Sequence, residues 1–203
     1  MDFLIDLWMP IVVSAVVVFF VSYLVWMVLP HHKADVKTLP NQAGFDGMLT
    51  EMNLAPGTYM WPCTDDPKDM KTDAFKDRFN KGPWGSMIVL GKKPNFGANL
   101  ASVFIFYIVV GIFVGYLAYT ALPYGSEFMR VFRFTGVAAV MAYCLGAIPG
   151  AVFFGKPVRF MATEFLDGVV YGLLTGVVFG LLWPSVDVVL ENAAKAIPSL
   201  PGT

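Results

Sequence analysis

The sequence predicts an all-α membrane protein with four transmembrane helices, and three observations predict it. Of its 203 residues, 57% are hydrophobic and only 14% are charged, against roughly 25% charged in soluble domains. Mean hydropathy is +0.63. Four stretches nearly free of ionisable side chains reach the ~20 residues that a helix needs to cross about 30 Å of hydrocarbon. The same composition excludes a disordered chain and a disulfide scaffold. A net charge of -1 leaves no basic footprint for nucleic acid. Cys63 falls in a polar loop and Cys144 in an apolar run, which argues for two unpaired thiols.

Residues 8–29 form the first predicted span and carry no charge. Its flank holds Asp2 and Asp6 instead of lysines, and its apolar core is too long for a cleaved leader, so it is expected to stay as an anchor. Residues 100–122, 134–154 and 165–183 form the other three, with Asp167 their one ionised group. Hydrocarbon holds no water, so each run must satisfy its own backbone as a helix. The expected organisation is therefore a first transmembrane helix (1–29), a cytoplasmic loop or membrane-apposed subdomain of roughly 70 residues (30–99), helices two to four (100–183) and an outward-facing tail (184–203). Trp8, Trp26, Tyr124 and Trp183 fall near span ends, where amphipathic rings favour the headgroup layer. With four spans both termini share one side. Eleven of the 14 Lys and Arg residues lie on the other side, in residues 30–99 and 155–164, which places the long loop in the cytoplasm.

Within residues 30–99, Phe45, Met48, Leu49 and Met52 have helical spacing, and Pro56-Gly57 closes that helix. Asp66 is a candidate cap for a second helix, with Pro67 at its first position and Met70, Phe75 and Phe79 apolar. Lys81-Gly82-Pro83 ends it. Residues 87–90 read as a short strand or buried turn. Both helices are amphipathic and could lie on the membrane surface.

Gly168, Gly172, Gly176 and Gly180 recur every four residues and share one helix face, a glycine zipper. Lipid does not drive helices together, and small residues permit the close packing that does. Gly111 and Gly115 make a similar face on the second span, and Ala139, Gly146 and Gly150 on the third. Packing within the bundle is the plain reading of all three; pairing with another protein or lining a pore are the alternatives. Pro149 should kink the third helix.

Asp167 lies about one turn from Glu164 and two from Arg159. A charge inside a membrane is costly and points to function, here an ion pair with Arg159 or a relay. His31 and His32 follow the first span. Imidazole ligates metals and haem iron, but adjacent residues do not share a helix face, so they read as weak metal candidates and better as an interfacial anchor. Asp65, Asp66, Asp69, Asp73 and Asp77 alternate with lysines and Arg78, the pattern of a solvated face. No phosphate loop, nucleophile elbow or catalytic triad is present.

Val28-Leu29-Pro30-His31-His32-Lys33-Ala34-Asp35, Leu39-Pro40-Asn41, Pro56-Gly57-Thr58-Tyr59-Met60, Lys81-Gly82-Pro83, Val131-Phe132-Arg133-Phe134 and Asp167-Gly168 together make the chain resemble a family of small, uncharacterised bacterial four-span integral membrane proteins. That family has no established activity, so the resemblance implies a bacterial inner-membrane protein and assigns no catalytic residue. The leading expectation is a non-catalytic accessory or assembly subunit, without a cofactor. It would pack in the lipid bilayer against other integral membrane proteins or itself. One alternative is a small transporter or channel with Gly172, Gly176, Tyr143 and Asp167 along its path. Another is a metal- or haem-associated redox subunit using His31 or His32.

Overall fold

The structure, a computed structural model, describes residues 2–187. Residues 188–203, most of the expected outward tail, lie outside the described residues. Four helices are long and apolar enough to cross a membrane: Phe3–Val28, Phe96–Ala121, Phe128–Phe153 and Val158–Leu181. The third and fourth begin about two turns earlier than the hydropathy limits. Helices tolerate a charged first turn, so charge marks where lipid begins and not where the helix begins. Arg130 and Arg133, expected in a connecting loop, therefore stand in the helix of the third span, and Arg159 and Glu164 in that of the fourth.

The first span is α1 (Asp2–Tyr23) closed by a π-helical turn, Leu24–Val28. The second is α4 (Phe96–Ala121), capped by the Asn95 side chain, which accepts from the Ala98 N–H. The third is broken. It runs as α5 (Phe128–Val140), a second π-helical turn at Met141–Leu145, and α6 (Ile148–Phe153). Pro149 sits in the first turn of α6 instead of kinking a continuous helix; there its missing N–H would have no intrahelical partner anyway. The fourth span is α7 (Val158–Leu181).

The core is built where α7 meets α5, and where α1 meets α4 and α7. Leu7, Ile11, Val114, Val131 and Phe179 are almost wholly buried toward one end, and Ala15, Val18, Tyr107 and Tyr171 toward the other. The α7 glycines explain how closely the fourth span approaches the third. A Cβ on Gly172 would lie 2.7 Å from the Val140 nitrogen, one on Gly176 2.9 Å from the Gly136 Cα, and one on Gly168 2.6 Å from Cys144 Sγ. Gly180 would meet the Phe128 ring at 2.7 Å. Gly111 and Gly115 receive Ile11 of α1 at 3.3 Å each. Gly146 and Gly150 differ: nothing lies within 4 Å of either added Cβ. The face expected around Ala139, Gly146 and Gly150 is therefore used only at Ala139, which is wholly buried, because the break after Leu145 carries the lower segment away from its neighbours.

Between the first two spans, α2 (Gln42–Met52) starts at Asn41, whose side chain accepts from the Gly44 N–H, and stops at Asn53, which takes a left-handed conformation. The next helix departs from expectation. The Asp66 side chain accepts from the Lys68 N–H and its carbonyl from the Asp69 N–H, and a single 3₁₀ turn (Asp69–Lys71) follows. The α-helix α3 (Asp73–Lys81) begins instead at Thr72, whose hydroxyl caps the Phe75 N–H. Removing that cap as Thr72→Ala should cost about 1 kcal/mol of local stability, seen as faster amide exchange in α3 with the four spans unchanged. The strand expected near residue 87 is β2 (Gly85–Val89), antiparallel to β1 (Gly57–Trp61), which sequence reading missed. Gly57 faces Val89 and Trp61 faces Gly85. No residue of α2 or α3 is buried. The Ser86 hydroxyl fastens the hairpin to the end of the third span by donating to the Phe154 carbonyl at 3.1 Å.

Candidate functional site

Pro30 organises the site. A residue before proline is pushed to extended backbone, and Leu29 has φ -75° and ψ 140°. Proline itself opens a helical turn well. The 3₁₀ turn Pro30–Ala34 follows and folds His31 and His32 against α7. On α7, Arg159, Thr163 and Asp167 recur every four residues and share one face. These two short patterns meet. His32 Nε2 lies 2.7 Å from Asp167 Oδ2, and His31 Nε2 lies 3.2 Å from Asp167 Oδ1. His32 Nδ1 lies 2.8 Å from Asp35 Oδ2. Arg159 donates to Asp35 Oδ1 and, at 3.0 Å, to the His31 carbonyl; Thr163 donates to Asp35 Oδ2 at 2.9 Å. The Trp26 ring stacks on His32, centroids 3.9 Å apart and 8° from parallel. The His32 and Asp35 side chains are 6% and 1% exposed.

This geometry needs one more proton or a metal ion. Carboxylates only accept hydrogen bonds, and neutral imidazole has a single N–H. If His32 Nδ1–H donates to Asp35, its Nε2 presents a lone pair to Asp167, and two acceptors face each other. A second proton on His32 or a metal ion between the atoms removes the conflict. The atoms offered by His31, His32 and Asp167 all lie within 4.8 Å of one another. Ligands on one tetrahedral zinc stand about 3.3 Å apart for bonds of about 2.0–2.1 Å, so the closest pair must part by a few tenths of an ångström. Asp35 would then supply the outer carboxylate that fixes a ligating histidine's tautomer and orientation.

Burial pushes the Asp35 carboxyl up, but the hydrogen bonds from Thr163 and His32 and the Arg159 guanidinium outweigh it and hold the group below the usual carboxylate range. Its contribution to stability is thus present above about pH 3.9, the unfolded value, and is lost as pH falls through the lower folded value. Asp35→Asn should accordingly unfold at lower temperature than wild type at pH 6. The gap should close as both are acidified below about pH 4, followed by thermal unfolding in detergent.

Beside the centre lies a cavity of about 240 Å³. Trp26 and Asp167 line it, with Phe106, Tyr107, Tyr143 and Tyr171. The three tyrosines contact one another edge to face, with centroids 5.9–6.2 Å apart. Trp26 belongs to one π-helical turn and Tyr143 and Cys144 to the other, and such turns recur at functional sites. Lys156 stands at the cavity and donates to both Glu164 oxygens, at 2.8 and 2.7 Å.

The structure regroups the residues singled out from sequence. Asp167 meets the histidines and not Arg159, and Glu164 pairs with Lys156. Arg159 pairs with Asp35 because eight residues of helix hold it about 12 Å nearer the helix start than Asp167. Asp167 stands nine residues into α7, about 14 Å along its axis, because the helix begins before the apolar run does. Of the residues considered for a transport path, Tyr143 and Asp167 line the cavity, while Gly172 and Gly176 are filled by the third span. Asp35, Thr163, Trp26 and Tyr171 were missed. The four-residue recurrence of Arg159, Thr163 and Asp167 was the available signal for Thr163.

Fold and site define a multi-pass helical membrane protein with a buried histidine–carboxylate centre at one end of its bundle. No protein-family model, no curated protein and no solved structure matches this chain.

Proposed function

We propose that this membrane protein binds a divalent transition-metal cation through His31, His32 and Asp167. One observation carries the reading: two imidazoles and one carboxylate, from His31, His32 and Asp167, bring a ligand atom each to within 4.8 Å of one another, with Asp35 behind His32 at 2.8 Å. Two imidazoles and a carboxylate suit zinc and its neighbours, and three protein ligands leave a coordination position open to water or another donor. Eleven of 14 basic residues in the 30–99 and 155–164 segments support an orientation with this end of the bundle in the cytoplasm, at a bacterial inner membrane. Zinc titrated into the metal-free protein in mild detergent tests the reading. One equivalent bound per chain is expected, and no uptake above the level of a His31→Ala, His32→Ala double variant sinks it.

A role as an accessory subunit packed against another membrane protein is the second reading. Gly146 and Gly150 favour it, since each leaves open space on a span of which 17% is buried. Co-purification of a membrane partner that Gly150→Leu releases is the expected result; a partner-free protein from native membranes counts against it.

A further inference from the structure

The cavity beside the centre has a feature that the metal does not use. Tyr171 lines it and is 7% exposed, yet its hydroxyl has no hydrogen-bond partner among the described residues, with the Trp26 indole nearby. Leaving a buried donor unmet is costly, so an occupant that accepts a hydrogen bond is expected there. About 240 Å³ falls just below the range for drug-sized ligands, which selects a single ring and excludes a nucleotide or a whole lipid. Phe106, Tyr107, Tyr143 and Trp26 form an aromatic part of the wall, which favours a flat ring. Water would meet the hydroxyl but would also wet that wall. Its lining draws on all four spans, Trp26 of the first included, so an occupant is held among helices apolar enough to cross a membrane. At the rim the Lys156 ammonium has given two of its three N–H groups to Glu164 and keeps one to donate.

We propose that this cavity binds the headgroup of a lipid-soluble quinone. A planar ring fills the aromatic wall, the Tyr171 hydroxyl donates to one ring carbonyl, and the Lys156 ammonium donates to the carbonyl on the opposite side. A ring so held lies next to Asp167 and Trp26, which line the cavity and also belong to the metal-binding cluster and its stack. The proposal concerns binding and stands independently of the metal.

The test uses the full chain in lipid nanodiscs, photolabelled with an azido-benzoquinone in competition with decylubiquinone, a short-chain quinone. Saturable labelling of peptides from the cavity wall, displaced by decylubiquinone, is expected. Tyr171→Phe, which removes one oxygen and keeps the packing, should weaken displacement roughly tenfold, as the loss of one hydrogen bond does. Ala147→Phe, at the cavity rim, should abolish labelling by filling the space. A wild-type thermal unfolding midpoint in both variants would certify their folds whether or not zinc binds, and so separate this proposal from the metal reading. Non-saturable labelling, labelling elsewhere, or equal affinity in Tyr171→Phe would overturn it and leave the cavity to water.

Discussion

His32→Ala is expected to lower zinc affinity by at least two orders of magnitude. Structural zinc held by four ligands is worth roughly 10–16 kcal/mol in small peptides, or about 3 kcal/mol per ligand, and each ~1.4 kcal/mol is tenfold. Asp167→Asn should lose as much, because it also removes the charge that offsets the cation. Asp35→Asn is the informative intermediate. It leaves all three ligating atoms in place but removes the negative charge that faces His32 Nδ1, and mutation of such an orienting carboxylate costs typically 10–100-fold. Calorimetric titration of zinc into each metal-free protein in detergent measures the series. Wild-type affinity in His32→Ala would refute the assignment, and an unchanged Asp35→Asn would confine the role of Asp35 to folding.

Gly172→Ala should produce the largest loss of stability for a single added methyl. The new Cβ falls 2.7 Å from the backbone nitrogen of Val140, so the third span must move, and overpacking of this kind costs about 1–3 kcal/mol. For a chain of this size each kcal/mol shifts the unfolding midpoint by roughly 2–4 °C. Gly146→Ala is the matched control. It has open space and an ordinary helical φ of -65°, and alanine favours helix over glycine by roughly 0.5–1 kcal/mol. Its midpoint should hold or rise. Thermal unfolding of both variants in one detergent decides, and equal losses would mean that the close approach along α7 is not what holds the spans together.

Much of the architecture is carried by local chemistry. Four runs of apolar residues are long enough to cross hydrocarbon, and a helix is the form in which a single run meets its own backbone bonds. The spacing of Phe45, Met48, Leu49 and Met52 falls within α2, and the glycine period of α7 marks the face that the third span meets. Where local chemistry misled, a competing local signal won. Thr72 caps α3 although Asp66-Pro67 also looks like a start, because its hydroxyl reaches the Phe75 N–H directly. Residues 146 and 150 have the spacing of a packing face, but a π-helical turn before them redirects the chain.

The centre was illegible for a different reason. Adjacent residues do not share a face of an α-helix, whereas the 3₁₀ turn Pro30–Ala34 brings both Nε2 atoms to the two oxygens of one carboxylate. His32 and Asp167 are 135 residues apart, and no periodicity links positions at that distance. Hydropathy is a property of each segment alone, so the number of crossings could be read before any fold was known. Which side chains share a buried pocket depends on how the first and fourth helices pack, and that is settled by contacts between segments that no single segment contains.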